Sequence, residues 1–278
     1  MITTKINFDI LTNSKVKLNI HIIEKKINIY FTVCCINNYI EIFENIIEYI
    51  YANNDFLNLI NEIRLVIFNS SEDLLLQKYY SHPKIKVIKR YSENFGNTTE
   101  YYTLNLLREN CIKEEEDFYV LYLHTKGVSD RHQNKETQLK INSWVNYLLY
   151  FNINYYKYIL SNIDNYSVIG VDLNGNNCNN YYKNFKNLNE LVEKEGLMGP
   201  NYPYCYGGNF WWSKSDYIKN ISECEDIYPA SEFFITNGNK GKFGKFLSLY
   251  NSKNDFYKEN YSTDKYIGKE LKEYVYSN

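Results

Sequence analysis

Residues 27–35, INIYFTVCC, are almost unbroken in apolar and β-branched character, and residues 39–51, YIEIFENIIEYIY, then repeat apolar positions at i, i+3, i+4 and i+7. The first pattern predicts a strand buried on both faces and the second an amphipathic helix. The alternation recurs: EIRLVIFNSS (62–71) reads as a strand ending in a polar loop, and EDLLLQKYY (72–80) as helix. KIKVIKRY (84–91) is a third strand, ENFGNTT (93–99) a loop broken by glycine, EYYTLNLLRENCIKEEE (100–116) a helix, and DFYVLYLHTKG (117–127) a fourth strand. Downstream, WVNYLLYFNINYYKYIL (144–160) is helical, YSVIGVDLNG (166–175) is a strand, and a short helix is expected near 216–221. ASEFFITNG (230–238) opens on a helix-like acidic turn, and KYIGKELKEYVY (265–276) reads as a closing helix.

Strands alternating with helices need crossover connections, which implies an α/β fold with a mostly parallel central sheet flanked by helices on both faces. Ligands of such sheets bind beyond the carboxyl ends of the strands. That rule selects the loops at 34–38, 69–71, 93–99 and 124–131. The short apolar pieces of 5–26 read as an N-terminal leader or hairpin. Without internal repeats or a linker rich in Pro, Gly or Ser, the expected organisation is a leader (1–26), one domain (27–250) and a helical tail (251–278).

Composition narrows the function classes. With 278 residues, 44% hydrophobic and 23% charged, the chain can bury a full core, and a formal charge of −2 supplies no field that would draw it to nucleic acid or an acidic membrane. No apolar run is long enough to span a bilayer and the N-terminus lacks a signal-peptide pattern, so the expectation is a cytoplasmic protein without a transmembrane segment. The six cysteines form no CxxC pair or zinc spacing, which favours reduced thiols. The 30 tyrosines, with abundant Asn, Ile and Lys, match the drift of an AT-rich genome, so a lone Tyr or Asn carries little weight.

Two stretches carry candidate chemistry. His124-Thr125-Lys126-Gly127 delivers a hydroxyl, an amine and backbone N–H groups to the mouth of the sheet, which is anion-binding chemistry. Gly207-Gly208-Asn209 precedes Phe210, Trp211 and Trp212, and alternation along a strand would place Phe210 and Trp212 on one face, Asn209 and Trp211 on the other. Fully burying one tryptophan is worth up to about 5 kcal/mol, reason enough for one face to be core.

Read together, YVLYLHTKG, Trp144, VIGVDL, YGGNFWWSKSDYI and SEFFI resemble glycosyltransferases with the nucleotide-sugar-binding GT-A fold, of the kind found in bacterial and large-virus surface-glycan gene sets, including rhamnan-synthesis-type proteins. The resemblance covers roughly residues 27–250. It implies transfer of a sugar from a nucleoside-diphosphate-sugar donor to a hydroxyl on a glycan acceptor. By position it implies donor contacts from Thr32, Cys34, Asn69, Gly96, His124, Thr125, Lys126 and Gly127, and sugar or acceptor contacts from Gly207, Gly208, Asn209 and Trp211. It makes Glu232 the base of an inverting transfer, with Asp172 in reserve. Family members that use a metal carry Asp-x-Asp after the fourth strand, and this chain has none, so no metal ligand is assigned and divalent-metal dependence stays open. A retaining transferase and a non-catalytic glycan-binding module on the same fold are the alternatives.

Overall fold

The computed structural model describes residues 25–93, 99–129, 134–173, 205–226, 230–236 and 244–277. Residues 1–24 of the leader, Gly96, Arg131 and the polar stretch 174–204 lie outside the described residues. Those described form one eight-stranded sheet in the order β3-β2-β1-β4-β6-β5-β7-β8. β1 (Ile27–Cys34), β2 (Ile60–Phe68), β3 (Ile85–Arg90) and β4 (Tyr119–His124) pair in parallel. β6 (Trp211–Lys214) then inserts antiparallel between β4 and β5 (Val168–Gly170), and β7 (Lys245–Ser248) and β8 (Tyr274–Ser277) complete the far edge. This is a mixed α/β, mostly parallel sheet compatible with a Rossmann-like fold.

Central strands show why their sequences lack polar alternation. Every residue of β1 and β4 is buried, because both faces are covered. One face holds Phe31, Leu121, Leu123 and Trp212 under α1 (Tyr39–Ala52), the short α2 (Asn54–Leu59), α4 (Lys135–Leu149) and α5 (Tyr156–Asn162). α1 meets it with the stripe Ile42, Phe43, Ile46, Ile47 and Ile50, the repeat visible in the sequence. The other face holds Tyr30, Val120, Tyr122 and Trp211 under α3 (Thr99–Lys113) and α6 (Ser215–Ile218).

The chain order places a topological switch between β1 and β4: the connections from β1 lead outward to β2 and β3, and the next one returns to the opposite side. At such a point the loops diverge and leave a crevice beyond the strand ends. Residues 34–38 and 124–129 border it.

Two expectations are corrected. The tail is not a helix: it holds a 3₁₀ turn at Thr263–Lys265 and the edge strand β8. Gly268, at φ 72°, breaks the helical pattern, and the aromatic and β-branched Tyr-Val-Tyr suits a pleated edge better. Nor is the tail separate, since Phe256, Tyr261 and Tyr266 belong to the main core and pack around Tyr147. The thiols are not all reduced either: Cys205 is disulfide-bonded, whereas Cys34, Cys35, Cys111 and Cys224 are buried thiols. Among the described residues no helix is long and apolar enough to cross a membrane.

Candidate functional site

The ends of β1 and β4 are stitched together before any side chain reaches the crevice. Thr125 N–H donates to the Thr32 carbonyl at 3.0 Å, and Cys34 N–H donates to Thr125 Oγ1 at 3.0 Å. Thr32 Oγ1 lies 3.0 Å from the Tyr122 hydroxyl. These threonine hydroxyls therefore hold the strand ends in register. Burial pushes the Cys34 thiol up to about 11, so it is no ready nucleophile. Asn69, in left-handed backbone at φ 54°, ends β2 and donates from Nδ2 to the Cys35 carbonyl at 2.9 Å.

The loop after β4 is pinned to the helices beneath it. Gly127 has φ 86°, and a Cβ there would lie 2.6 Å from Ile141 Cγ2, so only glycine fits. Asn37 Nδ2 donates to the Val128 carbonyl at 2.7 Å and Gln138 Nε2 to the Gly127 carbonyl at 3.2 Å. This leaves Lys126 buried, at 6% exposure, with its ammonium 4.1 Å from the centre of the Trp144 ring. A cation over an indole face is attracted by the ring quadrupole.

Facing that loop is the Gly207-Gly208-Asn209 turn. Asn209 N–H bonds the Tyr206 carbonyl at 3.0 Å, and Gly208 sits at φ 91°, the positive value a type II turn needs at its third residue. The turn has no room for a side chain: a Cβ on Gly208 would come 2.6 Å from Leu148 Cδ1, and one on Gly207 would come 3.1 Å from Asp172 Cβ. His124 Nε2 reaches the Gly208 carbonyl at 3.0 Å, so the two sequence motifs, more than eighty residues apart, meet directly.

A largely buried polar network continues from there. Glu100, in the first turn of α3, accepts at Oε2 from Asn209 Nδ2 at 2.7 Å and from the Tyr122 hydroxyl at 3.0 Å, while Oε1 lies 3.2 Å from His124 Nδ1. Burial lowers His124 to about 4, with a further push from the Lys126 charge, and burial raises the Glu100 carboxyl. The His124–Glu100 contact is therefore not a salt bridge between a charged histidine and a carboxylate at neutral pH. Glu100 and Tyr122 were missed by sequence reasoning. The only signal at Glu100 was an acidic residue following Thr-Thr at a helix start, which reads equally well as helix-dipole complementation.

Asn209 ties the network to the backbone beside Glu232. Its Nδ2 also donates to the Ser231 carbonyl at 3.3 Å, in the short helix α7 (Ala230–Phe233). Glu232, 6% exposed, sits close enough for its charge to act on His124. Asp172 is placed differently. Strained at φ 52°, it backs Gly207, and its carboxyl accepts from Ser252 N–H at 2.6 Å and Ser252 Oγ at 3.2 Å. Burial raises it to about 7. Both oxygens thus anchor the C-terminal segment, which makes Asp172 a structural group rather than a reserve base.

Trp211 shares the Asn209 face, as the alternation predicted, but it does not line a cleft. It is fully buried, stacks on Tyr122 at 5.0 Å between centroids, and donates from Nε1 to Asn209 Oδ1 at 2.8 Å. Both faces of β6 are therefore core, and the polar atom of Trp211 orients Asn209. Among the described residues no group of three or more His, Cys, Asp or Glu is arranged to hold a metal ion. The sequence matches no protein-family model and no curated protein.

Proposed function

We propose that the chain is a GT-A-like glycosyltransferase that moves a sugar from a nucleoside-diphosphate donor to a hydroxyl of a glycan acceptor. What carries the reading is the convergence of Lys126, the His124–Glu100 pair, the Gly207–Gly208 turn and Glu232 at one end of the sheet, beside the β1/β4 switch. A crevice at a switch point is the site such sheets offer a nucleotide. In this reading the diphosphate lies against the loop after β4. A unit charge pair at 4 Å is worth about 4 kcal/mol at an effective dielectric near 20, so Lys126 supplies much of the counter-charge.

As the bond from the anomeric carbon to the diphosphate oxygen breaks, negative charge grows on the leaving group. A fixed ammonium therefore stabilises the transition state more than the ground state. Glu232 removes the proton of the acceptor hydroxyl as that oxygen attacks the anomeric carbon. The Gly207–Gly208 turn, packed too closely on Leu148 and Asp172 to carry side chains, fixes His124 and Asn209 beside the reacting groups. A single displacement of this kind, from the face opposite the diphosphate, inverts the anomeric centre. Nothing in this sequence of events calls on Asp172.

The test is release of nucleoside diphosphate from a panel of uridine, guanosine and thymidine diphosphate sugars, with and without manganese, followed by anomeric analysis of any product. Turnover with inversion supports the proposal. Binding without turnover replaces it with a glycan- or nucleotide-sugar-binding module, and retention removes Glu232 as the acceptor base.

A further inference from the structure

The buried network around His124 ends on groups that can play only one hydrogen-bonding role, and these determine where its protons lie. The Gly208 carbonyl can only accept, so His124 Nε2, 3.0 Å away, carries a hydrogen. Trp211 Nε1–H can only donate, so the Asn209 amide presents Oδ1 to it at 2.8 Å. Nδ2 of Asn209 then points the other way, to Glu100 Oε2 at 2.7 Å. Tyr122 donates its hydroxyl hydrogen to the same Oε2 at 3.0 Å. What remains is Oε1 of Glu100 facing Nδ1 of His124 at 3.2 Å. Without a proton between them two lone pairs would meet in a buried site, at a cost of the order of an unsatisfied polar group.

One proton therefore sits on this pair, either on the ring as imidazolium or on the acid. Charged and polar groups on the neighbouring elements pull in opposite directions: Lys126 disfavours the imidazolium and Glu232 favours it, while the Lys126 charge and the hydrogen bonds from Tyr122 and Asn209 favour the Glu100 carboxylate. Cys224 also faces Glu100, but burial holds its thiol neutral. Desolvation decides, since His124 is buried and all but 18% of the Glu100 side chain is covered: the imidazolium form places two charges where the acid form places none.

We infer that Glu100 is a protonated carboxylic acid at neutral pH, donating from Oε1 to His124 Nδ1, and that through His124 it positions the Gly207–Gly208 turn. The acid works as a bolt between the first turn of α3, the end of β4 and the turn before β6. It holds His124 in the tautomer whose Nε2–H grips the Gly208 carbonyl. Its importance to sugar transfer rests on the function proposed above, but the protonation itself does not.

Two measurements on the full chain test it, and neither reads activity. In nitrogen-15 spectra of histidine-labelled protein, with the resonance assigned by its loss in His124→Asn, His124 is expected to be neutral at pH 7. Nε2 should be protonated and Nδ1 bare, with the ring titrating only near about 4. An imidazolium signal at pH 7, or a hydrogen on Nδ1, overturns the inference. In the second, Glu100→Gln mimics the protonated acid, with N–H toward Nδ1 and its carbonyl accepting from Tyr122 and Asn209. Its melting temperature should stay within about 2 °C of the wild type, whereas Glu100→Ala should fall by roughly 5 °C or more. A Glu100→Gln variant that melts as low as Glu100→Ala shows that the carboxylate, not the acid, is what the site requires. If these results hold while nucleotide sugars are not turned over, only the proposed function falls.

Discussion

Adjacent tryptophans on β6 face opposite sides of the sheet, and their surroundings differ more than their burial. Trp212 lies among apolar groups, with Phe56 5.8 Å from its ring, and its one polar atom ends on the Asn152 carbonyl at 3.0 Å. Trp211, equally inaccessible, starts a chain of hydrogen bonds through Asn209 to Glu100, His124 and the Gly208 turn. Equal burial therefore does not mean equal role. On the Trp212 face a side chain contributes area and shape, and its loss is felt as stability. On the Trp211 face a side chain also orients the groups next to Glu232 and Lys126, so its loss should reach the chemistry.

Replacing Glu232 by Gln is the strongest test of that division. Transfer should drop about 10²- to 10⁴-fold with nucleoside-diphosphate binding retained, and near-wild-type turnover would put the base elsewhere. Trp212→Ala probes the other face: unfolding free energy should fall by about 3–5 kcal/mol, with nucleotide affinity of the folded fraction unchanged. A matching loss of affinity would erase the distinction between the faces. Gly208→Ala acts at the boundary, since its Cβ would strike Leu148 Cδ1 at 2.6 Å and its φ is 91°. It should cost about 2–3 kcal/mol in chemical denaturation.

Smaller effects refine the picture. Lys126→Ala should weaken nucleoside-diphosphate binding about tenfold, roughly 1.4 kcal/mol, and an unchanged calorimetric affinity would remove Lys126 from the anion site. Asp172 supplies a pH-dependent contrast. Its folded value is raised from 3.8 to about 7, so the native state holds a proton that the unfolded chain releases earlier. Its contribution is complete below the unfolded value and is lost as pH rises through about 7. The melting temperature should therefore decline across that window, and Asp172→Asn should flatten the decline. An identical slope in the variant would assign the dependence to other groups.

Much of the parallel half was legible because its strands announce themselves locally. The runs at 27–35 and 117–127 became β1 and β4 with every strand residue buried, and the helical stripe of 39–51 became α1. The pairing of Phe210 with Trp212, and of Asn209 with Trp211, followed from strand alternation alone. Less could be read in the other half. The run at 166–175 read as a strand holds β5, but only three of its residues pair, and the insertion of the four-residue β6 between β4 and β5, against chain order, left no local signal. In the tail, KYIGKELKEYVY has a helical spacing of apolar residues, yet Gly268 and pairing with β7 decided for a strand.

The candidate site divides along the same line. His124, Lys126, Gly208 and Glu232 were visible as chemically able residues at the ends of predicted elements, because side-chain type and strand period are local properties. That His124 grips Gly208, that Asp172 is tied to Ser252, and that Asn209 reaches Glu100 depended on contacts across 84, 80 and 109 positions of chain. Glu100 is the sharpest case. By sequence it is one acidic residue among 33 at a helix start. Only the packing of α3 beside β4 and the glycine turn covers all but 18% of its side chain, and that desolvation changes what it can do.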